Sequence, residues 1–254
     1  MIDTHTHIYF PEYGEDPSQL MDRCVNAGVK KFILPNVDES SLPYVKAFHA
    51  YFPKNTYMAV GLHPTEVNED WEKVLDIVEK ELESKDYVAV GEVGIDLYWD
   101  KTKFELQKKV FEKQLQLAQK YKLPVIIHSR DAYEETMESI EKIKPDVPLI
   151  FHSFTGNVDD VKRIRKGCDA FFGINGVITY KNAQEVREAL KEIGINKIVL
   201  ETDSPYLTPV PHRGKRNESS FLSFIRDKIA ETLNLTPQDV EMTTDRNATS
   251  IFKI

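Results

Sequence analysis

The sequence predicts an α/β protein of one domain, residues 1–254, folded as a (β/α)8 barrel. Three observations carry that expectation. Short β-rich runs alternate with longer segments of helical periodicity, and the runs number eight. Most of them are continuous apolar stretches such as Val125-Ile126-Ile127 and Ile198-Val199-Leu200, as expected of parallel strands covered on both faces. No run is followed by the Gly-x-Gly-x-x-Gly turn of a doubly wound open sheet, the alternative architecture.

The strands are expected at 1–5, 31–36, 56–62, 87–93, 125–128, 149–152, 170–174 and 197–201. Between them, apolar residues recur at helical spacing, as in Trp71, Val74, Leu75, Val78 and Leu82, or Phe104, Phe111, Leu115 and Ala118. Asp131 followed by Glu134 has the spacing of a capping arrangement, and Gly28, Gly167 and Gly194 each close a helix shortly before the next strand. Residues 221–233 supply the eighth helix, and 237–252 form a further one packed beneath the barrel. There is no internal repeat, low-complexity tract or linker.

Composition bounds the function. A hydrophobic fraction of 41% with 29% charged residues describes a globular chain without a bias to disorder. No apolar run approaches the roughly 18 residues of a membrane-spanning helix, and Met1-Ile2-Asp3 lacks a basic leader region, so no membrane association is expected. Cys24 and Cys168 read as reduced thiols, which places the protein in the cytoplasm. A net charge of −8 excludes coating of nucleic acid by bulk positive charge, but leaves room for a local site.

In a (β/α)8 barrel the reactive groups stand at the carboxyl ends of the strands. There this sequence places His5 and His7, His63, Glu92, His128, His152 and Asp203, leaving only His49 and His212 elsewhere. His5 and His7, two residues apart on a strand, face the same point. Ionisable groups at the mouth of an apolar barrel are costly without a neutralising partner, and a metal cluster is such a partner. The donor types suit two divalent ions, with His5, His7 and a carboxylate around one, His128 and His152 around the other, and Glu92 as bridge. Two ions about 3.5–4 Å apart activate water at neutral pH. Asp203 either ligates the first ion, deprotonates the water, or does both.

After the eighth strand comes His212-Arg213-Gly214-Lys215-Arg216-Asn217. A basic run is ordinarily a solvated face, but its position makes Arg213, Lys215, Arg216 and Asn217 candidates for clamping a phosphate, with Arg130 as a further one. Tyr98, Trp99, Phe154 and Tyr206 either stack on bases or pack the rim.

The ordered set Asp3-Thr4-His5-Thr6-His7, Gly61-Leu62-His63-Pro64, Gly91-Glu92-Val93-Gly94-Ile95-Asp96, His128-Ser129-Arg130, His152-Ser153-Phe154-Thr155-Gly156, Glu201-Thr202-Asp203-Ser204-Pro205-Tyr206-Leu207 and Gly214-Lys215-Arg216-Asn217-Glu218 resembles the TatD family of metal-dependent deoxyribonucleases. The resemblance implies a TIM barrel of the amidohydrolase-like superfamily. It implies two divalent ions, Mg²⁺, Mn²⁺ or Zn²⁺, held by His5, His7, Glu92, His128, His152 and Asp203. It also implies contact of His63 and the Arg-Asn loop with the substrate phosphate, and 3′-exonuclease action on DNA in repair or degradation. The expected partner is DNA with single-stranded or frayed ends, bound by a monomer. Two departures are Ser219, where the family often has proline, and the 97–101 loop, which lacks the usual Tyr-Tyr form.

Against a DNA phosphodiesterase stand a small-molecule amidohydrolase or lactonase using the same ions, and a metal-binding scaffold without catalysis. Neither Gly-x-Ser-x-Gly nor a phosphate-binding Gly-x-x-x-x-Gly-Lys-Ser/Thr loop occurs, which disfavours serine-hydrolase and P-loop chemistry.

Overall fold

A computed structural model describes all residues, 1–254. Eight strands follow one another in the sheet in chain order: β1 (Ile2–Asp3), β2 (Lys31–Pro35), β3 (Thr56–Val60), β4 (Tyr87–Asp96), β5 (Val125–Arg130), β6 (Leu149–Phe151), β7 (Ala170–Ile174) and β8 (Ile198–Leu200). Every neighbouring pair is parallel. The sheet closes on itself through Thr4 N to Leu200 O at 2.9 Å, Asp203 N to His5 O at 2.9 Å and His7 N to Ser204 O at 2.8 Å.

The connecting helices are α1 (Pro17–Asn26), α2 (Leu42–Tyr51), α3 (Trp71–Glu83), α4 (Phe104–Tyr121), α5 (Tyr133–Ile143), α6 (Val158–Gly167), α7 (Gln184–Ile193) and α8 (Leu222–Leu233). Their apolar faces and the outer faces of the strands make the main core. Inside the barrel, Ile2, Ile33, Ala59, Ala89, Ile126, Ile150 and Val199 form a second, smaller core. Helix α9 (Pro237–Phe252) completes that core with Ala248, Ile251 and Phe252, so it plugs the end opposite the polar mouth. The expected helix beneath the barrel is therefore present, and what it does there is keep water out of the barrel floor.

Three expectations are corrected. Asp131 does not cap α5: the helix starts at Tyr133 after Ala132, with no side-chain cap, and Asp131 has φ 52, outside the extended region that an N-cap adopts. The first strand pairs regularly only over Ile2–Asp3; beyond it single bonds hold the chain, Thr6 N to Ile33 O at 3.2 Å toward β2 and the bonds to Asp203 and Ser204 on the other side, which leaves His5 and His7 past the strand. The fourth strand runs on to Asp96 and the fifth to Arg130, so Glu92 and His128 lie inside strands rather than at their ends. Between Val90 and Val93 the β4–β5 register slips, since Val90 faces Val125 while Val93 faces Ile127. That extra residue is a bulge, which re-aims the intervening side chain of Glu92. Gly91 permits it: a Cβ there would lie 2.6 Å from Cβ of Ile126.

Candidate metal centre

Glu92 is buried at the centre of the barrel mouth, and its two oxygens face two different groups of nitrogens. Oε2 lies 3.1 Å from Nε2 of His5 and 3.9 Å from Nε2 of His7. Oε1 lies 2.7 Å from Nδ1 of His128, 3.1 Å from Nε2 of His152 and 3.3 Å from Nε2 of His63. Asp203 Oδ1 adds a second carboxylate to the first group, 3.9 Å from Nε2 of His5 and 3.7 Å from Nε2 of His7. Ligands sharing an ion at about 2.1 Å stand roughly 3–3.5 Å apart, so these separations need only small adjustments in either direction. The structure thus brings the six expected residues together, with Asp203 the most loosely placed, and adds His63 beside the second group and Glu201 beside His5 and His152.

Whether these residues fit a metal can be tested on the ring nitrogens. Neither nitrogen of His5 makes an aligned hydrogen bond although both are buried, and its short approach to Glu92 does not supply one. A buried nitrogen left without a partner is what a ligand looks like before its ion. His7 points the same way. The Tyr9 hydroxyl donates to Pro35 O at 2.7 Å, so it accepts from Nδ1 of His7 at 3.0 Å and leaves the Nε2 lone pair toward Asp203. Burial, followed by neighbouring histidines, lowers His5 to about 4 and His7 to about 3, which keeps both rings neutral.

In the second group, His128 and His152 shift the other way. Burial pushes His128 down, but hydrogen bonds to Asp96 at 2.9 Å and to Glu92 outweigh it and raise the ring's pKa. His152 is raised further by Glu92 and by Glu201 against the same burial. Glu92 is held well below the carboxylate range: burial opposes this, and the histidines around it, His152 foremost, outweigh burial. Asp203 goes the other way, to about 8, through burial and the charges of Glu92 and Glu201. Metals would replace those protons, so ion binding and deprotonation are coupled. Raising pH removes protons from His128, His152 and Asp203, and Mn²⁺ affinity of metal-stripped protein is therefore expected to rise from pH 6 to pH 8. Calorimetry in buffers of different ionisation enthalpy checks this through the protons released; pH-independent affinity without release would refute it.

Sequence reasoning passed over the groups that hold these ligands. Asp96 and Glu201 were visible only as members of the motifs around Glu92 and Asp203. In the structure Asp96 accepts from Nε2 of His128, and Glu201 Oε1 accepts from Nδ1 of His152 at 3.1 Å and from Ser153 N at 2.5 Å. Asp3 is buried and accepts from Thr202 N at 3.0 Å and Thr202 Oγ1 at 2.6 Å. It ties β1 to the turn that carries Asp203, whose φ of 56 is uncommon for a non-glycine residue.

Above the cluster opens a cleft of about 930 Å³ lined by His7, His63, Glu92, His128, His152, Asp203 and rim residues. Arg130 lines it too, with its guanidinium 3.7 Å from the ring centre of Tyr98 and 5.5 Å from that of Trp99. Tyr98, Trp99 and Tyr206 are exposed, whereas Phe154 is buried in the core and unavailable for stacking. None of Arg213, Lys215, Arg216 and Asn217 lines the cleft. Arg213 lies over the Tyr180 ring at 4.3 Å, and Lys215 is exposed to solvent. Asn217 is fully buried and spends its amide on Thr202 O at 2.9 Å and Tyr206 O at 2.6 Å. The expected phosphate clamp is thus not assembled at the metals: Arg216 and Asn217 spend their donors within the protein, and Arg213 and Lys215 stand on the surface outside the cleft.

Comparison with known proteins follows the geometry. The family described as TatD related DNase matches residues 2–253. The metal-dependent hydrolase YabD of Bacillus subtilis is 32% identical over 255 residues, covering 100% of this chain and 99% of that protein. Among solved structures, YJJV, a TatD homologue from Escherichia coli, superposes with a TM-score of 0.93 at 28% identity, over 100% of this chain and 98% of that one. A lactonase from Listeria monocytogenes shares the fold, with a TM-score of 0.68 at 14% identity over 99% and 94% of the two chains.

Proposed function

We propose that this chain, which belongs to the TatD family of metal-dependent hydrolases, cuts the phosphodiester bonds of DNA, releasing nucleotides from a 3′ end of a single-stranded or frayed substrate. The observation that carries the reading is the open cleft over the histidine–carboxylate cluster, with Arg130 and exposed aromatics on its wall. Cation and π-face together suit a phosphate joined to an unstacked base.

Two divalent ions, Mg²⁺, Mn²⁺ or Zn²⁺, would be held by His5, His7, Glu92 and Asp203 on one side and by Glu92, His128 and His152 on the other. When bound, they supply the charge that makes water nucleophilic at neutral pH and offsets the charge developing at phosphorus. The protein groups do the rest. Asp203 Oδ1 takes the proton of the attacking water, His63 Nε2 and Arg130 hold phosphate oxygens, and Trp99 and Tyr206 receive bases on the rim. Asp96 and Glu201 keep the His128 and His152 rings turned inward. We place the protein in the cytoplasm, since Cys24 and Cys168 are unpaired as in a reducing compartment, and take a monomer as the acting unit, since one chain supplies the whole lining of the cleft. No helix is long and apolar enough to cross a membrane.

The test is release of label from 3′- and 5′-labelled single-stranded DNA by metal-stripped protein given Mg²⁺, Mn²⁺ or Zn²⁺. Metal-dependent loss of the 3′ label supports the reading; no cleavage with any ion would sink it. One observation favours a second reading, a small-molecule lactonase or amidohydrolase: the basic loop stays out of the cleft. Arg130→Ala separates the two. For a nuclease it raises KM for DNA by about 10-fold or more, the worth of one charge-assisted hydrogen bond, and leaves small neutral esters unaffected. Equal loss on both substrates would exclude a phosphate-specific role.

A further inference from the structure

The Arg216 side chain turns away from the cleft, toward the 10–16 loop. Its Nη1 donates to Tyr13 O at 2.5 Å, its Nη2 donates to Glu15 Oε1 at 2.6 Å, and its plane lies 4.5 Å from the Tyr13 ring centre. Glu15 is also held by both terminal nitrogens of Arg23, at 2.8 and 3.0 Å. Arg23 in turn grips Glu218, at 3.3 and 2.9 Å. The Tyr13 hydroxyl donates to Asn217 O at 3.0 Å, alongside. Arg216, Glu15, Arg23 and Glu218 thus form a chain of forked ion pairs that fastens the loop after β8 to the loop after β1. Planar guanidinium groups held at several points are better ordered than single surface pairs.

What this fastening holds is the wall of the metal centre. Phe10 opens the strapped loop, stacks on the His7 ring with centres 5.1 Å apart and planes within 9°, and donates its N–H to His7 O at 2.9 Å. It also lines the cleft. We infer that Arg216 is a positioning residue: through Glu15 and the 10–16 loop it holds Phe10 against His7, so this arginine acts as a buckle for the first metal group rather than as a phosphate ligand. To reach a phosphate, Arg216 would have to abandon Tyr13 O and Glu15 together, leaving that carboxylate facing one guanidinium fewer.

The two roles differ in what Glu15 does. A phosphate clamp is hindered by a nearby carboxylate, so Glu15→Gln would leave DNA binding intact or improve it. A buckle needs Glu15 as much as Arg216. The experiment is a double-mutant cycle of Glu15→Gln and Arg216→Ala, with Arg216→Lys alongside, read first as Mn²⁺ affinity of metal-stripped protein by calorimetry. We expect each single variant to weaken Mn²⁺ about 3- to 10-fold, less than the 10–100-fold typical of a ligand's direct hydrogen-bond partner. The double variant should be no weaker than the worse single one. Arg216→Lys should resemble Arg216→Ala, because an ammonium cannot fork between Tyr13 O and Glu15 or stack flat on the ring. Melting temperature measured in parallel shows that each variant is folded.

The same variants are then read for single-stranded DNA affinity against salt. The buckle predicts an unchanged slope. The inference is overturned if Glu15→Gln keeps wild-type Mn²⁺ affinity, or if Arg216→Ala lowers the salt slope by about 0.7 and Lys restores it, as for one lost phosphate contact. The inference rests on the nuclease reading only in this DNA arm. Mn²⁺ binding that follows the cycle in a protein that cuts no DNA would defeat the nuclease and leave the buckle standing.

Discussion

Asp203→Asn is expected to reduce metal-dependent turnover by about 10²–10⁴-fold while making the metal-free protein more stable at pH 8. The two effects share a cause. Asp203 is buried beside Glu92 and Glu201, which raises it from 3.8 to about 8. The folded state therefore keeps a proton that the unfolded chain has lost between those values. Stability from this group is fully present below about pH 4, and falls as pH rises toward 8. Asparagine removes the titration, so the melting-temperature gain over wild type should be near its smallest at pH 4 and grow toward pH 8. Divalent ions do for wild type what the proton does in their absence, and added Mn²⁺ should stabilise wild type more than the variant. A variant that keeps wild-type turnover would remove Asp203 from the reaction, and a gain independent of pH would refute the burial argument.

Second in expected size is the support behind His152. Glu201→Gln replaces the carboxylate that accepts from Nδ1 of His152, and metal affinity should fall about 10–100-fold with only a modest change in melting temperature. Gly173→Ala attacks the same contact from behind. A Cβ at position 173 would lie 2.1 Å from Oε2 of Glu201, and the carboxylate must move to admit it. Both variants should therefore lose Mn²⁺ affinity in the same direction, and combining them should add little, because each removes one shared interaction. Wild-type affinity in Gly173→Ala with Glu201→Gln impaired would show that Glu201 can retreat without releasing His152. The glycine would then be a packing residue alone.

How much of this was legible beforehand differs from residue to residue. The alternation of apolar runs with helical periodicity is a local signal, set by neighbours a few positions apart, and it located all eight strands and the helix under the barrel. Histidines and carboxylates at the ends of those runs were legible for the same reason. Once the order of strands is known, the barrel gathers their carboxyl ends by topology alone, and His5, His7, Glu92, His128, His152 and Asp203 meet there.

In the basic loop, charge is visible in the sequence and satisfaction is not. Arg216 and Asn217 looked free; their donors are in fact spent on Tyr13 O, Glu15, Thr202 O and Tyr206 O. Glu201 and Asp96 were missed by the converse error, since each finds its histidine only on another strand of the sheet, 49 and 32 positions away. The strapping of Glu15 to Arg216 spans 201 positions. By itself, then, the sequence determined the architecture and the donor set, because periodicity and residue chemistry are properties of short segments. Only the tertiary structure decided which way each ring nitrogen points and which cations remain available to a substrate. A hydrogen bond uses up a donor, and its partner is chosen by packing between segments that the chain keeps far apart.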